Sequence, residues 1–255
     1  MRKTIYDGFM AYIYDSCPYF GKWRADIANH YLSKLENIRN REVLELGTST
    51  GLLTIPIAKF EFCIDTVDYS TDMQRIAKEK LKKCQGGIIH NVNFILSDIT
   101  KFTTQKKYGA IVIPDSLLTV IPENGFNHVL HMSYDALKND GLLMFDIFTP
   151  IETIIQNKKY VDAARFRDQK KDVYIVEATH EADPQRQIQI STYNYKKRLK
   201  TNSYIDVASA TILYHYKHLP QIIADLEKIG FSSIEIREIF DGKIYFITAR
   251  KCMGS

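Results

Sequence analysis

The chain has 255 residues, of which 45% are hydrophobic and 25% are charged, and these proportions are those of a soluble globular protein rather than of a fibrous or disordered one. Its 34 basic and 30 acidic residues leave a formal net charge of +4. Because the basic residues lie in small clusters rather than in one stripe, the charge does not favour nucleic acid as a partner.

Helical spacing dominates the start of the chain. Residues 5–35 are predicted to form two helices that meet near Cys17–Pro18, because Ile27, Tyr31 and Leu35 recur at helical spacing and proline interrupts a helix. From residue 41 strands and helices alternate, which predicts a parallel sheet with helices on both faces. The predicted strands cover residues 41–46, 62–67, 92–96, 108–113 and 141–147, and the predicted helices cover 51–60, 71–83 and 126–137.

The pattern changes after Pro150. Residues 151–166 are predicted to be helical, and three predicted strands separated by polar turns then indicate an antiparallel insertion. Those strands cover residues 173–179, 187–195 and 204–214; a helix over 219–229 and a closing hairpin over 231–239 and 243–250 follow. Without a repeat or a low-complexity linker, we expect a single domain over residues 1–255. Its parts are an N-terminal helical lid (1–40), a core (41–149), an insertion (150–216) and a closing helix with hairpin (217–255).

Cysteine usage and hydropathy indicate where the protein works. The four cysteines form no C-x-x-C pair and no zinc-ligand spacing, which favours a reducing compartment. No secretory signal is visible, and no apolar stretch approaches the ~20 residues that a membrane helix needs. We therefore expect a cytoplasmic protein without a membrane segment.

The most informative segment is a strand that runs into a glycine loop and then a helix, Glu45-Leu46-Gly47-Thr48-Ser49-Thr50-Gly51. In an open parallel sheet such a loop lies at the carboxyl edge, where ligands bind. The dinucleotide fingerprint G-x-G-x-x-G is not met, because Ser and Leu occupy positions 49 and 52. The loop therefore disfavours NAD or FAD.

Two acidic residues end the next two predicted strands. Asp68 follows the second strand, where a carboxylate can accept both hydroxyls of an adenosine ribose. Asp98 follows the third strand, where a carboxylate can accept a hydrogen bond from an adenine amino group. Either acid alone is weak evidence, but two acids and a glycine loop at the same edge are unlikely to coincide.

With these motifs the chain resembles the class I S-adenosylmethionine-dependent methyltransferases over about residues 40–148. The resemblance implies a Rossmann-like α/β fold: a seven-stranded, mostly parallel sheet with helices on both faces, and an antiparallel β insertion after the fifth strand. It implies that S-adenosylmethionine is the cofactor. Ser49 departs from the family pattern, which usually has a glycine there. The resemblance implies the following cofactor-binding residues: Glu45, Gly47, Thr48, Gly51, Asp68, Tyr69, Asp98 and Ile99.

The N-terminal string Tyr12-Ile13-Tyr14-Asp15-Ser16-Cys17-Pro18-Tyr19 followed by Trp23 resembles a narrower group, the small-molecule N-methyltransferases that act on sugar amines or glycine. The resemblance implies that this segment folds over the cofactor as a lid, with Tyr19 and Trp23 against it. The alternative is that these aromatic residues form the apolar face of a helix pair. The chain also resembles enzymes of the plantazolicin type, which methylate a peptide N-terminus.

Methyl transfer needs an acceptor lone pair aimed at the methyl carbon, and positioning supplies much of the rate. We predict Tyr14, Asp115 and Asp146 as catalytic residues, since carboxylates and tyrosines can hold an amine and accept its proton. In the insertion, the predicted substrate-binding residues are Asp162, Arg165, and Tyr193 and Tyr195 on alternating faces of a strand.

The predicted function is N-methylation of an amine of a small molecule or a peptide N-terminus, in natural-product biosynthesis. Three alternatives stay open or are disfavoured. O-methylation of a small molecule and a non-catalytic cofactor-binding module stay open. Nucleic-acid methylation is disfavoured, because Ile113-Pro114-Asp115 replaces the Asn-Pro-Pro-Tyr segment of those enzymes. We predict no metal, no nucleic-acid or membrane partner, and a monomer or homodimer.

Overall fold

The computed structural model describes residues 4–20, 24–150, 152–239 and 244–252, and within them the chain forms seven α-helices and eleven β-strands. The helices are α1 (Phe9–Ile13), α2 (Arg24–Leu35), α3 (Thr54–Lys59), α4 (Thr71–Lys82), α5 (Glu123–Ala136), α6 (Glu152–Asn157) and α7 (Leu219–Ile229). The strands are β1 (Glu42–Leu46), β2 (Cys63–Asp68), β3 (Val92–Leu96), β4 (Tyr108–Ile113), β5 (Leu137–Phe148), β6 (Lys159–Arg167), β7 (Val173–Asp183), β8 (Ile188–Arg198), β9 (Tyr204–His215), β10 (Phe231–Ile239) and β11 (Ile244–Lys251).

A main sheet of seven strands has the order β10-β11-β5-β4-β1-β2-β3, and only β11 runs antiparallel to its neighbours. Every residue of β4 is buried, as expected for a central parallel strand covered by helices on both faces. The strand order reverses direction at β1, which lies between β4 and β2. Ligands of open α/β sheets bind at such a switch point, beyond the carboxyl ends of the strands.

An insertion sheet of four antiparallel strands, in the order β6-β7-β8-β9, leaves the main fold between β5 and α7. Alternate residues of β8 are buried, so one face of this sheet packs inward. The N-terminal segment (residues 4–20) packs on that face, where the ring of Phe9 contacts the rings of Tyr174 and Tyr195. The chain therefore places the N-terminal segment between its two sheets.

These observations confirm the predicted α/β architecture, with two local corrections. The predicted helix over residues 151–166 is wrong in its second half, because Lys158 adopts a positive φ of 58° and β6 then pairs with β7. The fifth strand, predicted over residues 141–147, begins earlier, because β5 starts at Leu137 directly after α5. In the described part of the chain, no helix is both long and apolar enough to cross a bilayer.

Candidate active site

A cavity of about 280 Å³ lies at the carboxyl edge of the main sheet. Three parts of the molecule wall it: the loops after β1, β2, β4 and β5, the N-terminal segment, and the inner face of the insertion sheet. Among the described residues its lining has the carboxylates of Asp68, Asp115 and Asp146 and no lysine, arginine or histidine. The site is therefore an aromatic-walled cavity whose lining, among the described residues, has carboxyl groups and no basic side chain.

The loop after β1 forms the floor of the cavity at the switch point. Gly47 has a φ of 97°, and a Cβ atom there would lie 2.6 Å from Leu117 Cδ2, so only glycine fits. Ser49 also adopts a left-handed conformation, with φ at 50°, and its N–H donates to Asp68 Oδ2 at 2.8 Å. Asp68 Oδ1 accepts from Ser70 N–H at 2.9 Å, so this carboxylate fixes the loops after β1 and β2.

Glu45 lies beneath this loop and is completely buried. Its Oε2 accepts hydrogen bonds from the hydroxyls of Thr54 and Thr66, both at 2.6 Å, whereas its Oε1 has no hydrogen-bond partner among the described residues. Burial raises the pKa of Glu45 to about 7, against the lowering effect of the threonine hydroxyls. Glu45 lines a smaller cavity with Gly47, Thr48 and Tyr31, next to the main one.

Asp146, at the end of β5, is fully buried and accepts four hydrogen bonds. Tyr31 OH donates to its Oδ1 at 2.6 Å, and the backbone N–H groups of Asp115 and Ser116 donate at 2.8 and 2.7 Å. The Ser116 hydroxyl supplies the fourth at 2.9 Å. Asp115 and Ser116 both have positive φ, 69° and 51°, so Asp146 holds a strained turn in place.

Asp115 projects from this turn into the cavity, where its Oδ2 accepts a hydrogen bond from Tyr14 OH at 2.6 Å. The ring of Tyr14 stacks on Phe20 with centroids 5.6 Å apart, and Phe20 meets Tyr193 edge-on at 5.3 Å. Tyr19 lies 5.3 Å from Tyr193 between ring centroids. A continuous aromatic wall therefore runs from Asp115 to the insertion sheet.

Polar contacts fasten the N-terminal segment over residues 47–53 between β1 and α3, the segment named the cofactor loop below. Asp15 accepts hydrogen bonds from the Thr50 hydroxyl and from Lys80 Nζ, which also binds the Thr50 carbonyl at 3.0 Å. Asp7 Oδ1 accepts from the Ser70 hydroxyl at 2.6 Å. The segment is thus bonded to the loops after β1 and β2 as well as packed on the insertion sheet.

The structure gathers part of the predicted residue set around these two cavities. The main cavity is lined by Tyr14, Tyr19, Gly47, Asp68, Tyr69, Asp115, Asp146 and Tyr193, and the smaller one adds Glu45 and Thr48. Gly51 is just outside, with a φ of 83° and close to Ala77. Trp23 lies outside the described residues.

Several other predicted residues do not line either cavity. Asp98 is exposed and its Oδ1 caps the Thr100 backbone N–H at 2.9 Å, while Ile99 is buried in the hydrophobic core. Asp162 and Arg165 are exposed on β6, at the edge of the insertion sheet. Tyr195 is buried beside Phe9, and it lies on the same face of β8 as Tyr193, because residues two apart in a strand share a face. The prediction of alternating faces was wrong.

The lining residues that escaped the sequence analysis include the polar side chains of Tyr6, Ser116, Gln189 and Tyr214. Gln189 could have been predicted from the sequence, because it lies four residues before Tyr193 and therefore on the same face of the predicted strand. Ser116 gave no signal, since its part in the site depends on its positive φ and on Asp146.

Comparison with known proteins supports the interpretation of this edge as a methyltransferase site. Residues 43–141 match the model of a methyltransferase domain family. A malonyl-[acyl-carrier protein] O-methyltransferase of Ilyobacter polytropus is 32% identical over 138 residues, which are 53% of this chain and 49% of that protein. The chain spans about half the length of the curated relatives that it matches.

Solved structures extend the likeness to the whole fold. The CcbJ methyltransferase of Streptomyces caelestis superposes with a TM-score of 0.77 at 16% identity, over 99% of this chain and 100% of that one. CalS10 of Micromonospora echinaspora, an amino pentose methyltransferase solved with S-adenosylmethionine, gives 0.72 at 13% identity, over 91% and 93%. Residues 43–141 are thus similar to a methyltransferase domain, and the solved methyltransferases share the fold of the chain.

Proposed function

We propose that the protein is an S-adenosylmethionine-dependent N-methyltransferase that acts on an amine of a small molecule or a peptide N-terminus in natural-product biosynthesis. One observation carries this proposal: the cavity that reaches the cofactor loop is lined by three carboxylates and an aromatic wall, with no basic side chain among the described residues. Carboxylates and tyrosine rings favour a positively charged ligand through Coulomb and cation–π attraction. A protonated amine is such a ligand.

The residues at the switch point fit the cofactor. Gly47 lets the loop turn with a φ of 97° where it lines both cavities, and the carboxylate of Asp68, held by backbone N–H groups of the same loops, lines the main cavity, where it can accept from ribose hydroxyls. Glu45 Oε1, buried and without a partner in the described chain, suits the amino group of the methionine moiety. When bound there, S-adenosylmethionine supplies an electrophilic methyl group on a sulfonium sulfur.

Asp115 is the residue that we assign to the acceptor amine. It faces the cavity, and its Oδ2 is held by Tyr14 OH. As an acceptor-only group when ionised, it can bind an ammonium, orient the nitrogen and take up its proton directly or through water. The aromatic wall excludes water around this contact, which strengthens it. Asp146 has a different role: with four donors on its carboxylate it positions the Asp115 turn.

O-methylation is the second candidate, because the matched relative from Ilyobacter polytropus is an O-methyltransferase. A carboxylate acceptor would meet like charge from Asp115 in this cavity, so we rank it below an amine. Incubation with labelled S-adenosylmethionine and matched panels of amines and carboxylic or hydroxyl compounds separates the two. Methylation of oxygen atoms alone would overturn the assignment of the protein as an N-methyltransferase. Binding of the cofactor without methylation of any acceptor would favour a non-catalytic binding module.

The decisive variant is Asp115→Asn, which keeps the shape of the side chain and removes its charge. We expect kcat/KM for an amine acceptor to fall by about 100-fold or more, because the general base is lost. The affinity for S-adenosylhomocysteine, measured by titration calorimetry, should change by less than about threefold.

The matched control is Asp140→Asn, an exposed aspartate that also has a positive φ and lies far along β5 from the cavity. It should leave both quantities unchanged. Undiminished turnover in Asp115→Asn would remove Asp115 from the reaction.

A further inference from the structure

Gln189 presents an unsatisfied polar atom to the cavity. The residue is 5% exposed on β8 and belongs to the cavity lining, yet its Oε1 has no hydrogen-bond partner in the described chain. Its Nε2 donates to Ser191 Oγ at 2.9 Å. A buried carbonyl oxygen without a donor is unfavourable, so such an atom in a binding cavity indicates that a ligand supplies the donor.

A small polar network surrounds the amide nitrogen of Gln189. Ser191 Oγ lies 2.8 Å from Nδ1 of His180, which is buried between the rings of Tyr160 and Tyr193. Burial lowers the pKa of His180, and the charge of Asp162 offsets part of this effect, so the ring is neutral and one nitrogen is an acceptor. When the Ser191 hydroxyl donates to Nδ1, its oxygen accepts from Gln189 Nε2, and the Gln189 oxygen is left for the cavity.

The position of Gln189 separates this atom from the Asp115 carboxylate. Gln189 pairs with Tyr214 across β8 and β9, and Tyr214 OH lies 3.4 Å from Tyr193 OH. These three residues line the insertion-sheet side of the cavity, whereas Asp115 lies at the end of β4 in the main sheet. An acceptor molecule in the cavity therefore meets a carboxylate on the main-sheet side and a neutral acceptor on the insertion-sheet side.

We propose that Gln189 Oε1 accepts a hydrogen bond from an uncharged donor, a hydroxyl or an amide N–H, that the methyl acceptor carries at a position remote from its amine. This inference rests on the proposed function and narrows its substrate class. It excludes purely apolar amines as preferred substrates, because they would leave the Gln189 oxygen buried without a partner.

Four related amines test the proposal: cyclohexylamine, the trans aminocyclohexanol with the hydroxyl opposite the amine, its methyl ether, and the corresponding carboxamide. We expect the alcohol or the carboxamide to exceed cyclohexylamine in kcat/KM by about tenfold or more. The ether, which accepts but cannot donate, should show no such advantage. The ranking of alcohol against carboxamide then identifies the source of the donor.

In Gln189→Leu the ratio of kcat/KM for the alcohol to kcat/KM for cyclohexylamine should fall to about one, and binding of S-adenosylhomocysteine shows that the variant is folded. Gln189→Glu keeps an acceptor oxygen and should keep the preference, which guards against loss of folding in the leucine variant. Thr192→Val, on the opposite face of β8, is the matched control and should behave as the wild type.

The outcomes separate this inference from the proposed function. Methylation of the four amines at equal rates, a preference for the ether, or a preference that survives in Gln189→Leu would overturn the role of Gln189 and leave N-methylation standing. Binding of S-adenosylhomocysteine without methylation of any of the amines would overturn both.

Discussion

Asp115 and Asp146 are the same amino acid at the ends of neighbouring strands, but their surroundings give them different chemistry. Asp146 is fully buried, and each of its oxygens accepts two hydrogen bonds from protein groups. Asp115 lines the cavity, where Tyr14 OH binds one of its oxygens. Asp146 is fully buried and holds a turn, whereas Asp115 is partly exposed at the cavity wall, where a ligand can reach it. On the proposed function we therefore assign acceptor binding to Asp115.

Glu45 predicts a pH dependence of stability in the cofactor-free protein. Its pKa rises from an ordinary value of 4.5 to about 7, because burial disfavours the ionised form. The folded state therefore binds this proton more tightly than the unfolded state does. The resulting stabilisation is complete below pH 4.5 and is lost as pH rises to about 7; at about 1.4 kcal/mol per pH unit it amounts to roughly 3 kcal/mol.

Urea unfolding of wild type and Glu45→Gln between pH 4 and pH 8 (roughly one unit beyond the titration on either side) measures this contribution. The difference in unfolding free energy should shift in favour of the variant as pH rises. Glu79→Gln, at an exposed position on α4, should follow the wild type at every pH. If Glu45→Gln also runs parallel to the wild type, Glu45 does not titrate in this range.

At the scale of elements, the N-terminal segment links the two halves of the molecule. Its apolar side packs on the insertion sheet, and its polar residues bond to the loops after β1 and β2. The predicted lid function stays a proposal, and these contacts support it because they lie over the cofactor loop. On this proposal, the contacts of Asp15 with Thr50 and Lys80 must open before the cofactor can leave.

Lys80→Met removes the ion pair with Asp15 and the bond to the Thr50 carbonyl. We expect S-adenosylhomocysteine to dissociate about 5- to 10-fold faster, since a partly exposed ion pair contributes on the order of 1 kcal/mol. Surface plasmon resonance measures this rate. Lys82→Met removes an exposed lysine from the same helix and should leave the dissociation rate unchanged. Equal dissociation rates in the two variants would show that the contact between Lys80 and Asp15 does not retain the ligand.

The elements that the sequence predicted well have local signals. Strand β4 is a continuous apolar run, and helix α4 begins at Thr71, where the sequence predicted a helix to begin. Strand β6 has no such signal, because most of its residues are exposed and its conformation depends on pairing with β7. Helical spacing over residues 151–166 was therefore misleading.

The same distinction applies to the site. Loop and strand-end residues such as Gly47, Asp68 and Asp115 follow from topology, because the ends of parallel strands meet at one edge. The exposure of Asp98 does not follow, since it depends on a local turn with Thr100. The hydrogen bonds that Asp146 accepts from Asp115 and Ser116 could not be predicted from topology either, because they depend on the positive φ of both residues.

At the scale of the whole molecule, the cavity draws its walls from both sheets and from the segment between them. Ligand binding should therefore stabilise both sheets together. At about 100 times its dissociation constant, S-adenosylhomocysteine should raise the unfolding free energy by about 2.7 kcal/mol in a single transition. Hydrogen exchange should show added protection in peptides from both β4 and β8.

ADP serves as the control ligand, because the loop after β1 lacks the glycine spacing that a pyrophosphate requires. It should give no stabilisation at the same concentration. Protection confined to β4 would show that the insertion sheet responds independently of the cofactor site.

The insertion sheet joins the rest of the chain only through the connections after β5 and before α7, whereas the match to the methyltransferase domain ends at residue 141. On the proposed function, Asp115 in the matched core binds the acceptor amine, and the insertion sheet contacts the rest of the acceptor. Exchange of residues 152–216 between homologues should therefore change which amines are methylated and leave the binding of S-adenosylhomocysteine unaltered.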